Sequence, residues 1–134
     1  MFTAHREDYL RGLYILEERK GEIKSIDLAR YLNVSKPSVS EMMKELNKDG
    51  LVSYKKYSKL KFTLKGKHIA KKLTFKHRLI ELFLKKIIKI ESNHLHDEAH
   101  RLEHAFSDES IEKIRKLLDN PKQDPHGKPI PKIL

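Results

Sequence analysis

The chain has 134 residues, which allows one modest domain or two small ones but not a large enzyme scaffold. Cysteine is absent, excluding disulfides, thiol catalysis and thiolate metal sites. Lys and Arg number 29 against 19 Asp and Glu, a net charge of +10. No apolar run approaches a membrane span, and Glu7 and Asp8 fall where a signal peptide would be apolar, so a soluble cytoplasmic protein is expected.

Residues 5–20 read as a helix, with Tyr9, Leu13 and Leu16 in a 3.6-residue repeat ended by Gly21. Ser25 is expected to cap a short helix through Ile26, Leu28, Ala29 and Leu32. After a tight turn at Asn33-Val34, Ser35 caps a further helix with Pro37 in its first turn and Val39, Met43 and Leu46 on its buried face; Gly50 stops it. These are the dimensions of a helix-turn-helix. Residues 51–64 follow as a two-stranded hairpin, Leu60, Phe62 and Leu64 alternating with Lys59 and Lys61, in the position of a wing. A long helix over about 64–89 has Ile69, Leu73, Ile80, Phe83 and Ile87 as its stripe. Ser92-Asn93 are expected to cap the next helix, running to about Phe106, and Ser107 caps a last one with Ile111, Ile114, Leu117 and Leu118 inside. Residues 120–134 hold all but one of the five prolines and are expected to be extended. The fold class is mainly α with a small β-hairpin wing.

The charge is segregated. Residues 1–78 carry the whole net +10 and residues 79–134 carry none, which points to a polyanion partner for the first part. A helix-turn-helix lays its second helix in a major groove, led by its N-terminal turn. Here that turn offers Ser35, Lys36, Pro37, Ser38 and Ser40, with Lys44 further along, to phosphates and base edges. The wing offers Lys55, Lys56, Tyr57, Lys59 and Lys61 to the backbone or minor groove. Any one of these lysines could be a solvated surface residue; helix spacing, caps, wing and charge together point to double-stranded DNA.

Five of the eight histidines lie between His77 and His104. His96, His100, Glu103 and His104 share one helical face, beside an apolar stripe of Leu95, Ala99, Leu102 and Phe106. His77 and Glu81 form an i,i+4 pair on the preceding helix, and Asp8 sits on the first helix among apolar neighbours. Imidazole and carboxylate without sulfur suit Fe(II), Mn(II), Co(II), Ni(II) or Zn(II). The alternative is a metal-independent DNA-binding protein whose histidines are structural. His100 to His104 also fits the H-x-x-E-H pattern of inverted zinc peptidases, but those enzymes need a third ligand well downstream and a substrate chamber. No enzymatic activity is expected.

The chain resembles the diphtheria-toxin-repressor family of metal-dependent transcriptional repressors, which includes the manganese-transport regulators. The resemblance runs through Glu7-Asp8-Tyr9-Leu10, Ser35-Lys36-Pro37-Ser38-Val39-Ser40, Asp49-Gly50-Leu51-Val52, Lys76-His77-Arg78-Leu79-Ile80-Glu81, residues 96–104, and Pro125-His126-Gly127-Lys128-Pro129-Ile130-Pro131. It implies a homodimer on palindromic operator DNA, with a winged helix-turn-helix over 1–73, a helical metal-binding and dimerisation domain over 74–120 and a proline-rich tail over 121–134. It implies up to two metals per subunit, Fe(II) or Mn(II), with Co, Ni or Zn as substitutes in vitro. His77, Glu81 and His96 match one site; Asp8, His100, Glu103 and His104 match the other. The chain departs from the family at His100, where iron-responsive members carry Cys and manganese-responsive ones Glu. Asp8 follows the manganese pattern rather than the Met of iron members. Arg11 replaces the extra acidic ligand of the manganese branch.

Overall fold

The computed structural model describes residues 4–54 and 60–132. The chain divides into two compact units, Met1–Lys71 and Lys72–Leu134.

The first unit opens with α1 (Ala4–Lys20), which buries Tyr9, Leu10, Leu13, Ile15 and Leu16. Gly12 lets α2 (Ser25–Leu32) approach closely, since a Cβ there would stand 3.2 Å from a methyl of Leu28. Ser25 does not cap α2: the cap position is Lys24, without a side-chain hydrogen bond, and Ser25 is already the first helical residue. The helix instead starts where the extended segment around Ile23 ends, because Ile23 bridges antiparallel to Leu60. Asn33 takes the left-handed conformation, its φ of 55° turning the chain into α3 (Lys36–Lys48). Ser35 caps α3 as expected, accepting from the Ser38 N–H at 3.2 Å, with Pro37 in the first turn. Val39, Met42, Met43 and Leu46 form the buried face.

The hairpin pairs β1 (Val52–Ser53) with β2 (Lys61–Phe62), Val52 opposite Phe62 and Ser53 opposite Lys61. Its expected basic tip, Lys55, Lys56, Tyr57 and Lys59, lies outside the described residues. The base of the hairpin is pinned to the next helix, α4 (Leu64–Phe83). Thr63 caps α4 by accepting from the Gly66 N–H at 3.0 Å, and its hydroxyl donates to the Gly50 carbonyl at 2.7 Å. Gly66 lies against Leu51 so tightly that a Cβ would fall 1.7 Å from the Leu51 carbonyl oxygen.

The second unit is built on the rest of α4, α5 (Ser92–Glu103) and α6 (Asp108–Leu117). Its core holds Phe75, Leu79, Ile80, Leu82, Leu84, Leu95, Ala99, Ile111, Ile114 and Ile130. α4 does not run regularly to 89. It widens into a π-helical turn, Leu84–Ile88, ended by Lys89 in the left-handed conformation. A wider turn rotates the following side chains off the helical stripe. Ile87, expected on the apolar face, is accordingly exposed. α5 has Glu91 rather than Ser92 or Asn93 at its cap position and ends at Glu103. Ser107 caps α6 by accepting from the Ser110 N–H at 3.1 Å. Leu117 is exposed because the chain leaves the helix there through Asp119 and Asn120, both at positive φ.

The proline-rich segment is not simply extended. It folds back through a bridge between Gln123 and Pro129 and a hydrogen bond from the Ile130 N–H to the Lys122 carbonyl at 2.8 Å. Asp124 is buried and accepts from the His126 and Lys128 N–H groups at 2.8 and 2.9 Å. Arg78, buried on α4, donates to the Pro129 carbonyl at 2.7 Å. Four prolines prevent a regular helix or strand, but one buried isoleucine and these hydrogen bonds suffice to order the segment.

Gly66→Ala is expected to destabilise the chain by about 1–3 kcal/mol or more, since a backbone carbonyl rather than a yielding side chain opposes the new methyl. Urea unfolding followed by circular dichroism checks it, and unchanged stability would show that the hairpin base can shift.

Candidate metal centre and nucleic-acid interface

The N-terminal turn of α3 presents Lys36, Pro37 and Ser38 on an exposed surface, with Lys44 exposed further along the helix. Lys61 is exposed on β2. Two serines are occupied otherwise. Ser35 Oγ lies 2.8 Å from Ser38 Oγ while serving as the cap, and half-buried Ser40 places its hydroxyl 3.5 Å from the Tyr54 hydroxyl. Asp8 lies half-buried on α1 in the first unit, one turn before the buried Arg11.

Among the described residues, the second unit holds two groups of side chains able to ligate a metal. His77 and Glu81 are one turn apart on α4, and His96 comes from the start of α5. Ligand-capable atoms of the three lie within 4.8 Å of one another. His77 Nε2 is in direct contact with Glu81 Oε1, and His96 Nδ1 stands 3.6 Å from the same oxygen. The His77 and His96 rings meet edge to face at 5.1 Å. The second group is His100, Glu103 and His104, on the last turn of α5 and just beyond it, again with ligand-capable atoms within 4.8 Å. His100 Nε2 and His104 Nε2 lie 4.0 and 3.5 Å from Glu103 Oε1. The apolar stripe beside them packs as expected, with Leu95 and Ala99 buried and Leu102 and Phe106 half-buried.

His126 is the residue that sequence reasoning missed. Its Nε2 lies 3.3 Å from Glu81 Oε2. The tight loop around Asp124 brings it there, and Gly127 at φ 83° completes the turn. An aspartate two residues before the histidine, with Gly after it, is the signal that could have marked the loop.

The donors fit a borderline divalent cation. They are imidazole nitrogens and carboxylate oxygens, two of the carboxylates being at most 4% exposed. Buried carboxylates require compensation by charge, hydrogen bonds or a metal. Glu81 Oε2 accepts no hydrogen bond among the described residues, although His126 stands beside it. Burial alone would raise the Glu81 carboxyl. Hydrogen bonds and positive charge from His77 and His96 outweigh burial and hold it well below the usual carboxylate range.

A carboxylate with a depressed folded-state pKa contributes stability above its unfolded pKa and loses it as pH falls. Without metal, the unfolding midpoint of this chain is therefore expected to fall as pH is lowered through the ordinary glutamate range and below. Glu81→Gln should flatten that dependence. Thermal unfolding in chelator across acidic pH checks it, and parallel curves for the two proteins would refute it.

Comparison with known proteins matches the chain in two consecutive stretches. Residues 1–60 match the profile described as iron dependent repressor, N-terminal DNA binding domain, and residues 63–132 match iron dependent repressor, metal binding and dimerisation domain. The chain is 37% identical over 124 residues to the HTH-type transcriptional regulator MntR of Bacillus subtilis (strain 168), covering 92% of this chain and 87% of that protein. It is 39% identical over 118 residues to MntR of Bacillus pumilus (strain SAFR-032), covering 88% and 81%. Among solved structures, the manganese regulator SloR superposes with a TM-score of 0.82 at 42% identity, and the metal-dependent transcriptional regulator MtsR with 0.87 at 37%. These cover 95% and 98% of this chain but only 59% and 61% of theirs, so the chain spans about three fifths of those solved chains. Both halves of the sequence, the winged helix-turn-helix and the histidine-carboxylate unit, thus find their counterparts in one group of proteins: the chain belongs to the iron-dependent repressor family of metal-dependent transcriptional regulators.

Proposed function

We propose that this chain is a divalent-metal-activated transcriptional repressor that binds palindromic operator DNA as a homodimer in the cytoplasm, with Fe(II) or Mn(II) as its effector. The observation that carries the reading is the pair of histidine-carboxylate groups in the unit that matches the metal-binding and dimerisation domain. His77, Glu81 and His96, with His126 beside them, would hold one ion. His100, Glu103 and His104 would hold the other together with Asp8. Such an ion would supply concentrated positive charge beside the buried Glu81 and Glu103 carboxylates.

Asp8 belongs to the unit that carries α3, whereas His100, Glu103 and His104 belong to the other. Shared ligation would therefore favour one relative placement of the two recognition helices in a dimer. In a two-fold assembly, helices about 34 Å apart read half-sites one turn apart. The exposed Lys36, Ser38 and Lys44 of α3 and Lys61 of the wing would meet phosphates and base edges, joined by Lys55, Lys56, Tyr57 and Lys59. Ser35 contributes chiefly through the cap it makes. A peptidase role for the H-x-x-E-H segment is disfavoured, because Glu103, the required general base, faces His77 through one oxygen and His100 and His104 through the other.

The test begins by selecting duplexes from a random DNA pool with Mn(II) present, then measuring mobility shifts of the selected palindrome with Mn(II), Fe(II) or chelator. The wild-type chain is expected to bind five- to 150-fold more tightly with metal, an order of magnitude set by typical allosteric coupling of about 1–3 kcal/mol. Glu103→Ala and His104→Ala should abolish the stimulation while retaining helical circular dichroism. Equal binding with metal and chelator, or full stimulation of both variants, would overturn the reading. Binding should also weaken steeply with salt, as phosphate contacts release counterions.

A further inference from the structure

His77 touches both metal-ligating groups. Its Nε2 meets Glu81 Oε1, while its Nδ1 lies 2.8 Å from Glu103 Oε2. The ring and both carboxylates are buried, none more than 4% exposed. Glu103 then directs its other oxygen toward His100 and His104. We infer that His77, besides being a ligand candidate in its own group, is the positioning residue of the other: by donating from Nδ1 to Glu103 Oε2 it keeps Glu103 Oε1 turned toward His100 and His104. The inference rests on the metal-centre reading above and deepens it.

The terminal torsion of a glutamate is broad, so a carboxylate at the end of three rotatable bonds does not fix its own lone pairs. A hydrogen bond to one oxygen settles which oxygen remains for a cation. A neutral imidazole ligating through Nε2 carries its proton on Nδ1, the atom that faces Glu103 here. The two duties of the ring are therefore compatible: ligation on one side leaves the donor intact on the other. Outer hydrogen bonds of this kind orient ligands, and losing one typically costs about 10–100-fold in metal affinity. Here the orienting group of one site would itself be a ligand of its neighbour.

The experiment isolates the second group. In a Glu81→Gln/His96→Ala background the first group is disabled, while His77 retains an acceptor at Nε2 and can still donate from Nδ1. Co(II) titration of this protein, followed by visible absorption, reads the site containing His100, Glu103 and His104. Adding His77→Asn keeps an amide nitrogen where Nδ1 stood and removes Nε2; adding His77→Leu removes both. The Asn variant is expected to bind Co(II) close to the background value, and the Leu variant about 10–100-fold more weakly. A Leu variant that binds as tightly as the Asn variant would overturn the inference. In the intact Zn(II)-loaded chain, long-range proton–nitrogen correlation spectra are expected to show His77 protonated at Nδ1, and a bare Nδ1 would overturn it without any variant. If the background protein binds no Co(II) although the wild type does, the positioning role falls and the first group stands. If the wild type binds none, the metal-centre reading falls, and this inference with it.

Discussion

Two buried carboxylates stand on either side of one imidazole ring, and the second unit is arranged around that contact. Glu81 and Glu103 lie on different helices, α4 and α5, and neither could be removed from water alone without a large cost. His77 faces both. The charge-charge and hydrogen-bond terms offset desolvation only while the two helices hold their present separation. The apolar residues of that core, Leu79, Ile80, Leu95 and Ala99, therefore bear on the geometry of this polar contact as well as on packing.

Such an arrangement is not what stability alone would select. A fully apolar seam between α4 and α5 would be at least as stable, since buried ion pairs seldom outperform well-packed hydrophobic residues. Retaining two carboxylates and several imidazoles in and around that seam spends stability on a group of donors poised for a cation. The choice of donors narrows the cation to the borderline and hard first-row ions but leaves the order among them to geometry and supply. His100 and His104 both flank Glu103, which gives the second group two imidazoles to one carboxylate.

The folded proline-rich segment enlarges the first group. Arg78 sits one residue after His77 on α4 and anchors the Pro129 carbonyl, while Asp124 closes the loop that carries His126. The helix that supplies His77 and Glu81 thus also fastens the loop that brings a further imidazole to Glu81.

The local elements were legible from the sequence. Ser35, Pro37 and Gly50 mark α3 because caps and turn residues act through their own backbone; the 3.6-residue repeat marks α1; the alternation of Leu60 and Phe62 marks β2. The shared helical face of His96, His100, Glu103 and His104 followed from helical arithmetic alone. What escaped depends on atoms distant in the chain. The caps expected at Ser25 and Ser92 shifted by one residue, and the π-helical turn moved Ile87 off its stripe. The approach of His126 to Glu81 and the bridging of Glu81 and Glu103 by His77 join residues 45 and 26 or fewer positions apart through packing that no periodicity encodes. Residue types and their spacing along each helix determined which donors this protein owns; the tertiary fold decided which of them meet, because a carboxylate's partner is set by where helices cross rather than by where residues stand in sequence.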